Sequence, residues 1–249
     1  MRLIATILME GNKVIQTYNF KEKKIIGDLQ IVVKHLNDWQ VDEIVIIQID
    51  QNFKKLLENL NYILEICSTP LTVGGGISSL KESLELTRNG ADRICLQRAF
   101  FENLEEVFKI ANTLGGQALT IKVDFDSKLK QLRSNKRDFL YFYNYLNKNK
   151  NKLINYGVSE IFFYDINADG LIEEPSFNFI QDIDLNEFSV ILGGGLKPKN
   201  IISIWKNNYN RVEDLSLSFS NYFYQKELAK YQVIKKIKTL KNIKLRKLI

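Results

Sequence analysis

Val73-Gly74-Gly75-Gly76-Ile77 and Leu192-Gly193-Gly194-Gly195-Leu196 are the two stretches that decide the fold. Each sets a triple glycine directly after a short apolar run and directly before a helix-length amphipathic stretch. Glycine lets the chain turn through positive φ and lets a backbone or an anion come close, and the next helix offers free N–H groups and a positive dipole end. Outward from these stretches the same unit recurs. Apolar β-branched runs stand at 3–8, 44–49, 71–73, 94–96, 119–123, 161–166, 190–192 and 212–217. Amphipathic stretches follow at 28–39, 53–66, 80–88, 104–113, 139–156, 178–183, 200–207 and 225–237. Near-continuous apolar strands alternating with helices mean parallel strands buried on both faces. Eight such units in 249 residues predict an α/β fold, a single (β/α)8 TIM barrel. A doubly wound sheet would leave units over. Glu43-Ile44 also recurs as Glu160-Ile161, at nearly the offset that separates the two triple glycines, which predicts two half-barrel repeats. One domain is expected over 1–249, with a basic C-terminal helix and tail at about 222–249.

Composition narrows the function. Apolar residues are 45% and charged residues 26%, which excludes disorder. Two cysteines, Cys67 and Cys95, cannot build a disulfide framework or a zinc cluster, and a single histidine, His35, excludes a multi-histidine metal site; neither a metal nor a cofactor is expected. The net charge of +6 is concentrated toward the end, in Lys230, Lys235, Lys236, Lys238, Lys241, Lys244, Arg246 and Lys247. Without interleaved aromatics it reads as a solvated helix face and not a nucleic-acid surface. No apolar run reaches a membrane span, and Glu10 ends the apolar start too early for a signal peptide, so a cytoplasmic protein is expected.

Barrel chemistry sits at the C-terminal ends of the strands. Two glycine loops half a barrel apart there suit a substrate with phosphate at each end, although such glycines also serve tight turns alone. Asp124 ends the fifth run and is a candidate general acid or base. Asn167-Ala168-Asp169-Gly170 follows the sixth run. At the opposite end Arg2, Glu43, Arg93 and Glu160 each stand just before an apolar run. Pointing inward they would make a ring of two positive and two negative groups; pointing outward they would be a solvated rim.

With these residues placed, the chain resembles the cyclase subunit of imidazole glycerol phosphate synthase, HisF, most closely at 71–77, Gly90-Ala91-Asp92-Arg93, the Asp124 strand and 157–170. The resemblance implies a separate HisH-like glutaminase docked on the barrel floor as a heterodimer. It implies an ammonia gate at Arg2, Glu43, Arg93 and Glu160, with arginine at the third place where the family has lysine, and a glutaminase-facing Asp92. It implies phosphate contacts at Gly75, Gly76, Gln97, Arg98, Asp169, Gly170, Gly194, Gly195 and Ser218, with Gln97 and Arg98 replacing Asn and Thr. The mouth departs from the family. Of two catalytic aspartates only Asp124 is kept; the first falls on Leu8. The aspartate of the second strand falls on Gln48 with Asp50 two residues on, another falls on Asn167, and a substrate lysine falls on Gln16. The glycine-rich loop after the fifth strand is replaced by a short basic one, 127–138. Losing a general acid or base typically costs a factor of about 10² to 10⁴. The expectation is a divergent HisF-like paralogue that receives ammonia, similar to those serving ammonia-dependent amidation of surface sugars. The alternative is a non-catalytic ammonia channel that activates the glutaminase.

Overall fold

The computed structural model describes residues 1–18, 21–170, 174–220, 222–223 and 229–238. Among the described residues eleven strands form one sheet. They are β1 Leu3–Glu10, β2 Lys13–Tyr18, β3 Glu22–Asp28, β4 Glu43–Gln48, β5 Leu71–Gly74, β6 Arg93–Leu96, β7 Leu119–Asp126, β8 Gln131–Leu132, β9 Glu160–Asp165, β10 Leu185–Gly193 and β11 Val212–Phe219. Eight of them, β1, β4, β5, β6, β7, β9, β10 and β11, run parallel, and β11 pairs back on β1 through Leu3 with Leu217 and Ile4 with Ser218. Closure leaves the eight parallel strands without a free edge. This is the (β/α)8 barrel that the eight runs predict.

The described helices are α1 Leu29–Asp38, α2 Phe53–Ile63, α3 Leu80–Arg88, α4 Arg98–Glu102, α5 Leu104–Leu114, α6 Phe139–Asn155, α7 Ile201–Asn208 and α8 Ala229–Ile237. Their starts are written locally. Asn52 accepts from the Lys55 N–H at 3.1 Å, and Ser79 with Glu82 forms a capping box. The inner face of each helix then lands on the outward side chains of the barrel strands, where Leu56, Leu60, Leu86, Val107, Phe142 and Leu153 are buried. A TIM barrel needs both cores, this outer one and the one inside the cylinder.

Three local features depart from the pattern. The first strand-to-helix connection carries the antiparallel hairpin β2–β3, which periodicity did not predict because β3 buries almost nothing. The stretch 178–183 folds as a 3₁₀ turn, Asn178–Asp182, and not as an α-helix. The basic loop after β7 folds back as β8, pairing Leu132 with Phe125. The helix expected over 225–237 is described over Ala229–Ile237; Lys241, Lys244, Arg246 and Lys247 lie outside the described residues.

The half-barrel repeat has a physical core. Gly75 (φ +120°) and Gly194 (φ +88°) each close a left-handed turn after their strand. A Cβ on Gly75 would strike the backbone of Gln48 at the end of β4, and one on Gly194 would strike that of Asp165 at the end of β9. Gln48 and Asp165 then do the same work. Gln48 bonds the Gly11 carbonyl and Asn59, while Asp165 accepts from the N–H groups of Asn167 and Ser176. In both halves the glycine makes room for a neighbouring strand end whose side chain ties down loops.

Candidate functional site

Alternation along each strand decides what enters the cylinder. Inward residues stack in tiers. The lowest holds Arg2, Glu43, Arg93 and Glu160. Register then places Val45, Cys95, Lys122, Phe162 and Ile191 above them, and Ile47, Asp124 and Tyr164 above those.

At the floor the four charges are brought together. Arg2 donates to Glu43 at 2.6 Å through one nitrogen and to Glu160 through another. Arg93 donates to Glu160 at 2.6 Å and lies 4.0 Å from Glu43. Thr72 donates to Glu43 at 2.6 Å and Thr120 to Glu160 at 2.8 Å. The side chains are inward, not splayed as a solvated rim: Glu43 is 4% and Glu160 5% exposed, against 18% for Arg2 and 20% for Arg93. The two carboxylates differ. Burial pushes Glu43 up, and one close guanidinium does not offset it. Burial acts on Glu160 too, but Arg2 and Arg93 together hold its carboxyl below the ordinary range. Asp92 is exposed beside this ring, and its carboxylate accepts from the Leu71 N–H at 2.7 Å.

At the mouth lies a cavity of about 250 Å³. Its lining includes Gly75, Gly76, Gln97, Arg98, Arg133, Asp124 and, at its base, Cys95 and Lys122. Arg98 is half-exposed and reaches Gln51 at 3.1 Å, so its guanidinium stands beside the glycine loop. Asp124 is buried, ion-paired with Lys122, and 3.9 Å from Arg133. The Lys122 ammonium stands 4.7 Å from the Tyr164 ring centre and 5.5 Å from that of Phe162. Burial drives the Cys95 thiol up to about 12, so it is an inert core group there. Leu8 is buried on β1, and no second carboxylate replaces it at that position. Asp50 is exposed and tied to Gly11, Gln48 and Asn52, outside the cavity lining. Gln16 is buried on β2.

The second loop is tighter. Gly194 and Gly195 lie outside that cavity's lining, packed on Asp165 and Ala168. Ser218 shares a 2.6 Å hydrogen bond with Thr6 inside the cylinder. The Asp169 carboxylate is fully buried, taking a hydrogen bond from Tyr164 at 2.7 Å and another from Thr17. Burial raises its pKa to about 6 despite those donors. Gly170 follows in a left-handed turn. His35 is exposed and packs on Trp39, far from either end's chemistry by its place on α1, and Cys67 donates to the Thr69 carbonyl. Among the described residues no cluster of His, Cys, Asp and Glu could hold a metal ion, and no helix is long and apolar enough to cross a membrane.

A family model described as histidine biosynthesis protein matches residues 2–212. The chain belongs to the histidine biosynthesis protein family. It is similar to a Vibrio vulnificus protein named "Putative imidazole glycerol phosphate synthase subunit hisF2", 31% identical over 127 residues, 50% of this chain and 47% of that relative. It is similar to the imidazole glycerol phosphate synthase subunit HisF of Pyrococcus furiosus, 32% identical over 126 residues, 49% of this chain and 50% of the relative. It is also similar to the HisF subunit of Clostridium botulinum, 26% identical over 259 aligned residues, 95% of this chain and 97% of the relative. The chain thus spans about half the length of the first two curated relatives it matches and nearly all of the third. It is a HisF-like member of the family, divergent from the subunits named HisF.

Three residues of this histidine biosynthesis family barrel escaped the sequence reading: Lys122, Arg133 and Tyr164. The signal for Lys122 was present. Leu119, Ile121 and Val123 alternate with Thr120, Lys122 and Asp124, so an inward Asp124 requires an inward Lys122. Arg133 had no such signal, because only the β8 turn carries it back over the mouth.

Proposed function

We propose that this barrel receives ammonia at its floor from a separate HisH-like glutaminase and presents it to a phosphorylated small molecule held at its mouth. The observation that carries the reading is the closed ring of Arg2, Glu43, Arg93 and Glu160 on the barrel axis. Buried ion pairs contribute little net stability against apolar replacements, so four charges on the axis of a cylinder argue for a task there. Neutral ammonia, unlike ammonium, carries no charge to desolvate. It meets next one tier, in which Ile4, Val45, Phe162 and Ile191 are packed together and whose Lys122 and Cys95 form the base of the cavity above. The ring and that tier part for each transfer.

Asp124 is the acid/base at the mouth, and Gly75, Gly76, Gln97 and Arg98 grip the near phosphate. Gly194, Gly195, Ser218, Asp169 and Gly170 serve the far one, Asp169 through backbone groups since its side chain is already engaged. Asp92 faces the glutaminase. Leu8 removes half of the acid/base pair, which favours amidation of a surface sugar by a divergent paralogue over the ring closure of histidine synthesis. A channel that only activates the glutaminase is the second reading, favoured by the packed tier between ring and cavity. The protein works in the cytoplasm, where its glutaminase is.

Co-purification with candidate glutaminases tests the reading, with glutamine hydrolysis measured with and without the barrel. Hydrolysis should rise in the complex, and Arg93→Ala or Glu160→Ala should release ammonia to solvent with the barrel still folded. Unchanged coupling in both variants would refute the gate. Turnover of the histidine-pathway intermediate with ammonium salt at an ordinary enzyme rate of roughly 1–10³ s⁻¹ would refute the lost cyclisation.

A further inference from the structure

We propose that Lys122 is an imine-forming lysine, which, with Asp124 as its proton partner, captures the carbonyl carbon of a phosphorylated aldehyde or ketone bound in the mouth cavity. It shares the anion-binding mouth with the function proposed above and needs nothing of the ammonia route.

The geometry has four parts. First, Lys122 stands inside the cylinder, buried, and lines the cavity at its base. Second, Asp124 lies two residues further along the same strand face and holds the ammonium directly. Third, the Lys122 ammonium stands over the rings of Phe162 and Tyr164, and Cys95 shares the cavity base with it. The other charged groups facing the pair are Arg133, 3.9 Å from Asp124, and Asp169 behind the Tyr164 hydroxyl. Fourth, Arg98 and Gly75-Gly76 stand on the rim above, where an anionic tail would sit while the carbonyl points down.

A stability role does not account for the pair. Lysine with aspartate inside a barrel is matched or bettered by apolar side chains of like volume.

The step balances without a further reactant. Lys122 gives a proton to Asp124 and its free amine attacks the carbonyl carbon, forming a C–N bond while the C–O π pair moves to oxygen. After proton transfer from nitrogen to that oxygen, Asp124 returns its proton to the hydroxyl. Water leaves, and a cationic C=N bond to Lys122 remains.

The test is reductive trapping on the full chain with dihydroxyacetone phosphate and cyanoborohydride, read by intact mass and peptide mapping. The expected product is one adduct, of the probe less water plus two hydrogens, at Lys122. It should saturate with probe, fall with excess inorganic phosphate and be absent in Lys122→Arg. Asp124→Asn should slow it by about 10²- to 10⁴-fold. Mapping the unaltered chain decides the matter even where a variant fails to fold. Absence of an adduct at Lys122, or labelling no faster there than at surface lysines, overturns the proposal. Dihydroxyacetone without phosphate separates the two readings: equal trapping of both probes at Lys122, insensitive to phosphate, keeps the lysine and refutes the anion-binding mouth.

Discussion

Removing one negative charge from the floor ring should have unequal consequences at its two carboxylates. In Glu160→Gln the side chain loses its charge and one of two acceptor oxygens. Glu160 now serves Arg2 with one oxygen, and Arg93 and Thr120 with the other, at 2.6 and 2.8 Å. A glutamine amide turns an N–H group toward one guanidinium, so a charge-assisted bond becomes a donor facing a donor. Breaking a fully buried pair costs about 3–5 kcal/mol, but Arg2 and Arg93 keep 18% and 20% of their surface in water. The loss should therefore be about 2–3 kcal/mol. Glu43 makes one close guanidinium contact at 2.6 Å, and burial already favours its neutral form. Glu43→Gln should cost no more than about 1 kcal/mol. Urea unfolding at pH 7.5, with the slope m checked for constancy, measures both. Equal losses, or a larger loss at Glu43, would refute the claim that the ring's binding energy is centred on Glu160.

The remaining predictions concern pH, glycine and a cap. Asp169 titrates near 6 when folded against about 3.9 unfolded, so the native state holds the extra proton between those values. Stability from this group is complete below about pH 4 and is lost as pH rises through about 6, a fall of about 3 kcal/mol. The difference between wild type and Asp169→Asn, by urea unfolding at pH 4 and pH 7, should change by about 2 kcal/mol, since at pH 4 the unfolded group is itself half protonated; a constant difference would contradict it. Gly194→Ala adds left-handed strain to a clash with the Asp165 backbone and should destabilise by more than about 2 kcal/mol, read as a lower midpoint in thermal unfolding. Ser79→Ala breaks the capping box of α3 and should cost about 1 kcal/mol with the cavity unchanged.

The cylinder was legible in the chain because its signals are local. Eight apolar runs, each followed by an amphipathic stretch, admit few architectures, and the paired triple glycines mark the halves through a backbone demand that no other residue meets. The floor ring was legible as a set of candidates, since each charge directly precedes its run, and inward alternation follows from strand geometry. What periodicity missed is non-local. The β2–β3 hairpin shows no alternation, because β3 lies on solvent. Arg133 reaches the cavity only because β8 folds back on β7. Lys122 looked like one more lysine among 35 basic residues; its worth comes from Phe162 and Tyr164, which a parallel neighbour, β9, sets around it. Sequence alone thus determined the closed barrel, its two ends and which residues stand at each. Tertiary structure decided which of those charges meet, which carboxyl's pKa is lowered and which is raised, and where the cavity stops, because each depends on distances between strands that the chain brings together only when the cylinder closes.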